Sequence, residues 1–248
     1  MESNGDPLGR LILCVRGLSA NCRSFDPFVP VLVEAGHHVV TMDLRGRGRS
    51  EISPPGSYGW DSHVRDLLEI ADLYGADSFD VIGHSMGGFI GMSLAAQCPR
   101  RCSRLVLIHA AGEPEPSALP PITKSISRLG RTYPSAPDVL SHMRAAGAMT
   151  PWDESWDSYF AWELEPVGDT VRTRTDLAAA GEDSAYASTQ DVYGMWPQLR
   201  CPVLLVRASK GPWSQAAAWW FHGLTPNGSP QRSATPGWLT STPITTSY

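Results

Sequence analysis

Five short apolar runs punctuate this chain, and none of them alternates. They are Leu11–Val15, His38–Met42, Phe79–Ile82, Leu105–Ile108 and Val203–Val206. A strand with one wet face alternates apolar and polar residues. An unbroken run suits a strand covered on both faces, as in a parallel sheet. Parallel neighbours need long crossovers, and helix-like stretches supply them. Asp61–Tyr74 gathers Val64, Leu67, Leu68, Ala71 and Tyr74 on one face, with Asp61 as N-cap. Gly88–Gln97 is apolar and rich in small residues, and Pro99 closes it. The pattern predicts an α/β fold with a doubly wound, mostly parallel sheet.

The alternation stops after Gly112. A proline-rich stretch, Glu113–Pro121, is followed by helical candidates at Ile122–Arg131, Pro137–Ala146 and Asp153–Glu163. Trp152, Trp156, Tyr159 and Phe160 fall at helical spacing, and no strand is expected here. The chain thus divides into 1–112, the first part of the α/β core; 113–195, a helical cap insertion; 196–210, a core strand; and 211–248, an atypical tail. All 25 acidic residues precede Val192, and beyond Gly211 the only charge is Arg232. A tail so poor in aliphatic residues is expected to pack badly and to leave the last strand and helix missing. The edge at Val203–Val206 would then stay open. The same composition would also follow from a shifted reading frame.

Net charge and cysteine content exclude other classes. A formal charge of −5 opposes a nucleic-acid partner, which needs a basic footprint. No apolar run approaches the ~20 residues of a membrane span, so no membrane partner is expected. Met1–Arg10 has no apolar stretch like that of a secretory signal, and 5 scattered cysteines do not form a disulfide framework. These features point to a cytoplasmic protein and leave its oligomeric state open. Cys98 and Cys102 lie four residues apart, but no further ligands sit near enough for a metal site. There is no nucleotide-binding glycine motif. No metal and no cofactor is expected.

The chemical signal is Gly83-His84-Ser85-Met86-Gly87, a G-x-S-x-G directly after an apolar run and directly before a small-residue helix. In that setting the sharp turn forces Ser85 into a strained backbone and lifts its hydroxyl clear of the sheet. The glycines, lacking Cβ, let strand and helix crowd together. The helix N-terminus beyond Ser85 favours negative charge on a neighbouring oxygen. His84 is adjacent in sequence and is read as packing. His37 and His38 are read as structural, and His63 and His142 as helix-surface residues.

Here the sequence resembles the α/β-hydrolase family, in its serine esterase or lipase-like branch with a helical cap. The resemblance runs from about Leu11 to Lys210. Besides the elbow, Arg16-Gly17-Leu18 follows the first strand, where the family has His-Gly-x. Asp43-Leu44-Arg45-Gly46-Arg47-Gly48-Arg49-Ser50 is similar to the family's structural D-x-R-G-x-G-x-S loop. That likeness is a better account of its three arginines than a phosphate site. Cys201-Pro202-Val203-Leu204-Leu205-Val206 is similar to the penultimate core strand. The resemblance implies Ser85 as nucleophile and the N–H groups of Met86 and Leu18 as oxyanion hole.

Five departures qualify it. The loop after the penultimate strand, Arg207–Gly211, carries no acid, so the acid of a triad is unassigned. The alternative acid position, at the end of the strand after the elbow, is His109. His222 is the only tail histidine that could act as base, and His109 could form a dyad with Ser85 instead. Arg16 replaces the usual histidine, and the family's first hairpin is absent from the expected elements. The function implied is hydrolysis of a small apolar carboxylic ester without a cofactor. Ser85 in place of an aspartate opposes the dehalogenase and epoxide-hydrolase branches. The alternative is a catalytically inactive homologue that binds a small molecule on the same fold.

Overall fold

The apolar run at Arg10–Val15 (β2) is unbroken because both of its faces are covered. Leu11, Leu13 and Val15 join a cluster with Val64 and Leu67 of the Trp60–Leu73 helix (α2) and Ile90 and Leu94 of the Met86–Gln97 helix (α3). Ile12 and Cys14 point the other way, to Phe25 and to Val29, Leu32 and Val33 around the short Val29–Glu34 helix (α1). The structure, a computed structural model, describes residues 1–112, 123, 126–147, 152–206, 219–224 and 230–232, the last two stretches by backbone alone.

Among the described residues the main sheet has 8 strands. At its centre, His37–Met42 (β3), β2, Phe79–His84 (β4), Cys102–Ile108 (β5) and Val203–Val206 (β9) lie in that order, all parallel. Helices on both faces make it doubly wound, as the sequence predicts. Two edges differ from the sequence reading. Glu2–Asn4 (β1) pairs antiparallel with β3, so a first antiparallel strand exists after all. It is short and polar, which hides it from any apolar pattern. At the other edge Trp219–Leu224 (β10) pairs antiparallel with β9, Trp219 opposite Leu205 and Phe221 opposite Val203, and Pro230–Arg232 (β11) pairs with β10. The expectation that Val203–Val206 stays an open edge is therefore corrected. The aromatic run Trp219-Trp220-Phe221 suits a strand although it is not aliphatic. Residues 233–248, where a final helix would fall, lie outside the described residues.

The 113–195 segment is not purely helical. It holds helices at Ala136–Ala145, Glu154–Trp162, Leu177–Ala187 and Val192–Met195. Asp153 caps the second, accepting from Ser155 N–H. Ser135 caps the first, accepting from Asp138 N–H. It also holds an antiparallel sheet of Thr132–Tyr133 (β6), Leu164–Val167 (β7) and Thr170–Thr173 (β8). The missed signal was Gly168-Asp169 between Val167 and Thr170. A glycine at φ +58 opens a tight hairpin there. Val139, Met143, Tyr159, Phe160 and Leu164 are buried together, with Trp152 and Trp156 packed against them. The Glu113–Pro121 linker lies outside the described residues, as do 122, 124 and 125 of the 122–131 helical candidate; within that candidate 123, 126 and 127 are helical and 128–130 form a turn.

Candidate active site

Ser85 sits at φ 53, ψ −124, between β4 and α3. Non-glycine residues rarely hold a positive φ, and the surroundings enforce it here. Ser85 N–H donates to Ile108 O at 2.8 Å, and its carbonyl accepts from Gly88 N–H at 2.8 Å. A Cβ on Gly83 would lie 2.4 Å from Gly87 O, and one on Gly87 would lie 2.1 Å from Val15 O. Strand, turn and helix are that close only because these residues lack side chains. Met86 opens α3 and is buried.

The Arg16–Leu18 loop reaches the same spot from β2. A Cβ on Gly17 would lie 3.4 Å from Ser85 Oγ and 3.5 Å from His84 Nδ1. Two arginines hold this loop by its carbonyls. Arg47 Nε donates to Leu18 O at 3.1 Å, and Arg128 Nη2 donates to Ser19 O at 3.0 Å. Each arginine is itself held by a buried carboxylate. Arg47 pairs with Asp183 at 2.6 Å, both side chains fully buried, and Arg128 pairs with the buried Glu163. Gly59 N–H and His63 Nε2 also bond Asp183, at 2.6 Å and 3.0 Å. Burial alone would raise the Asp183 carboxyl, but His63 and Arg47 outweigh it and hold the group below the usual range. His63 is thus a buried ligand of Asp183, not the surface residue the sequence suggests. A histidine on an amphipathic helix gives no sign of which carboxylate, 120 residues away, will meet it.

The loop resembling D-x-R-G-x-G-x-S is a buried scaffold. Asp43 accepts from Cys22 N–H (2.8 Å), Arg49 N–H (2.9 Å) and Trp162 Nε1 (2.9 Å). Arg45 binds Asp66 through two nitrogens, and Arg49 lies over the Trp162 ring at 3.7 Å. All three arginines are engaged within the chain, as the structural-loop reading expects.

Around Ser85 lie three cationic or imidazole groups. Arg16 has Cζ 5.6 Å from the Phe25 ring centre, and its buried Nε has no hydrogen-bond partner among the described residues. Burial lowers its pKa, and a hydrogen bond with the Tyr159 hydroxyl acts against that. The His84 and His109 rings meet edge to face, 6.0 Å apart. Burial, then Arg16 and His109, hold His84 well below the ordinary imidazole value, so it is neutral at pH 7. His109 follows β5 at φ 54, and its N–H donates to Val206 O at 3.0 Å. His84 pairs with Ile108 in the sheet, so Ser85 and His109 do leave neighbouring strands side by side. His222 falls on β10, its side chain outside the described residues, as is the 207–210 loop where a triad acid would be sought. Among the described residues no cluster of three or more metal-ligating side chains occurs.

A mostly parallel sheet with a tight strand–turn–helix at Ser85, and a glycine loop pressed on that turn, is the architecture of an α/β hydrolase. The chain belongs to the α/β-hydrolase family: the model of the alpha/beta hydrolase fold matches residues 10–230. That match passes Lys210, beyond the motifs that carry the sequence resemblance, and takes in β10. Among relatives, the chain is 34% identical over 113 residues to the proposed carbamate hydrolase RutD of Variovorax paradoxus, covering 46% of this chain and 42% of that one. It is 28% identical over 235 residues to the 3-hydroxybutyrate-oligomer hydrolase of Cupriavidus necator, covering 83% and 74%. It is 34% identical over 140 residues to the rhodomycin D methylesterase DnrP of Streptomyces peucetius, covering 48% and 46%. The chain thus spans under half the length of two of these relatives. Among solved structures, E-2-(acetamidomethylene)succinate hydrolase shares the fold with a TM-score of 0.74 at 20% identity, over 83% of this chain and 74% of that one.

Proposed function

We propose that this chain hydrolyses small carboxylic esters through Ser85. The observation that carries the reading is the elbow: a serine held at φ 53 with the Gly17 loop packed against its hydroxyl. Ser85 Oγ attacks the acyl carbonyl, and the Met86 and Leu18 N–H groups take the developing oxyanion. A histidine accepts the serine proton and returns it to the leaving alcohol, and water then releases the acyl group. His84, adjacent to Ser85 in sequence, is read as packing, which leaves His109 or His222. The carboxylate that would orient the base is unassigned. The 113–195 segment acts as a cap, and its aromatic core around Trp152 and Phe160 favours an apolar acyl or alkoxy group. The names of the methylesterase and oligomer-hydrolase relatives support ester chemistry. No cofactor takes part, and the site of action is the cytoplasm.

The absence of any acid beyond Asp191 favours a second reading, a small-molecule binding protein without turnover. One experiment separates the two. A fluorophosphonate probe should label the wild type and not Ser85→Ala. p-Nitrophenyl acetate turnover should fall on the order of 10³-fold or more in that variant. Labelling that survives in Ser85→Ala removes the nucleophile assignment. No labelling and no turnover in the wild type establishes the binding reading instead.

A further inference from the structure

Cys102 opens β5 and is buried; Cys201 lies two residues before β9 and is half-buried. β5 and β9 are parallel neighbours, with Leu105 opposite Val203 and Leu105 N–H donating to Pro202 O at 3.0 Å. That register brings the two thiols together across the strand ends, with Sγ atoms 3.9 Å apart. Both are free. Strands in one sheet run about 5 Å apart, inside the ~4.4–6.8 Å Cα window that a disulfide accepts. Closing the sulfurs to about 2.05 Å needs side-chain rotation and no rearrangement of the sheet.

We propose that Cys102 and Cys201 form an oxidation site at which hydrogen peroxide makes an intrachain disulfide between β5 and the residues entering β9. The two cysteines bracket the 113–195 segment, so the bond would staple the stem from which that segment rises. The division of labour is asymmetric. The hydrogen bond between the two sulfurs lowers the Cys201 thiol against the opposing effect of burial, while that bond and burial raise Cys102. Elsewhere in the core, burial pushes Cys14 and Cys22 up to about 12 and leaves them unreactive. The Cys201 thiolate attacks one peroxide oxygen, the O–O bond breaks, and the departing hydroxide takes a proton to leave as water. Cys201 is then a sulfenic acid. Cys102 loses its proton and attacks the Cys201 sulfur; the S–O bond breaks and the hydroxide leaves as a second water. Two thiols are oxidised by two electrons and one peroxide is reduced.

The test treats the reduced full chain with a small excess of hydrogen peroxide, blocks free thiols, and maps the digest without reductant by mass spectrometry. We expect one cross-linked peptide pair containing Cys102 and Cys201, two hydrogen masses below the sum of its parts, and reversed by dithiothreitol. The oxidised chain should melt about 5–10 °C higher, because a loop of this length is closed in the unfolded state. Cys201→Ser should abolish the cross-link, and Cys98→Ser should leave it intact. Cys102 and Cys201 both recovered as blocked thiols, Cys201 recovered only as sulfinic acid, or a cross-link to Cys98 would each overturn the proposal.

Discussion

Ser85 and His109 are the two non-glycine residues with positive φ among the described residues, at 53° and 54°. They leave neighbouring strands at the same rim of one sheet, and they are built differently. The Ser85 turn is walled in by close backbone approaches. Gly83 meets Gly87, Gly87 meets Val15, and Gly17 meets the serine itself. The His109 turn meets a single glycine, Gly88, where a Cβ would lie 2.4 Å from the side chain of Ala110 and not from backbone; it is also fastened by its N–H to Val206, and its ring lies against His84. One strained turn is locked by packing that forbids side chains. The other is held by a hydrogen bond to the adjacent strand. Strain maintained by surrounding structure is a mark of functional positions, and the first turn is the one framed by backbone meeting backbone, at Gly83 and Gly87.

The frame should break first where the backbone is closest. Gly87→Ala places a methyl group 2.1 Å from Val15 O, which neither strand nor helix can vacate cheaply. We expect a loss of about 3 kcal/mol in urea unfolding, with esterase activity lost as well. Gly181→Ala, in the Leu177–Ala187 helix, meets nothing within 4 Å and should instead gain roughly 0.5–1 kcal/mol. If Gly87→Ala costs no more than a few tenths of a kcal/mol, the Ser85 turn is not sterically locked and the contrast fails.

The same contrast explains what could be read from the sequence. Ser85 was legible because the lock requires glycine at fixed offsets, and glycine spacing is visible in a chain of letters. The parallel core was legible because β2 buries both faces and so shows no alternation. His109 was visible as a strand end, but its left-handed backbone was not, since nothing in the sequence demands it. Asp183 was invisible as the anchor of Arg47 and His63, because that meeting depends on how the Leu177–Ala187 helix docks on α2. β10 is hidden because its run is aromatic and not aliphatic, and β7–β8 because a short hairpin stands among helical signals.

His84 lies between the two turns and tests whether they share one environment. Its folded pKa is depressed, so as pH falls through about 6.5 the unfolded chain takes up the proton first. The folded state then loses stability toward acid, by at most about 1.4 kcal/mol per pH unit, and regains it as pH rises. Urea midpoints at pH 7.5 and pH 5.5 should therefore differ less in His84→Gln than in the wild type. An unchanged difference would mean that His84 titrates freely and that the space between the turns is wet.

The smallest effect is expected at His109 itself, and it divides strain from chemistry. A non-glycine residue in the left-handed region costs about 1–2 kcal/mol. Glycine removes that cost but gives back roughly 0.5–1 kcal/mol through the freedom of the unfolded chain. His109→Gly should thus be neutral to slightly stabilising, by no more than about 1 kcal/mol in urea unfolding. A larger loss would mean that the imidazole packing against His84 outweighs the backbone strain. Activity reads the second half of the contrast. If His109 is the base for Ser85, the glycine variant loses p-nitrophenyl acetate turnover while its stability holds, and His109→Asp is equally inactive. If turnover survives in His109→Gly, the base reaches Ser85 from elsewhere, and β10, which carries His222, is the element to search. A sharp rise in turnover in His109→Asp would place a carboxylate where the family can hold its acid and assign the base to the same tail histidine.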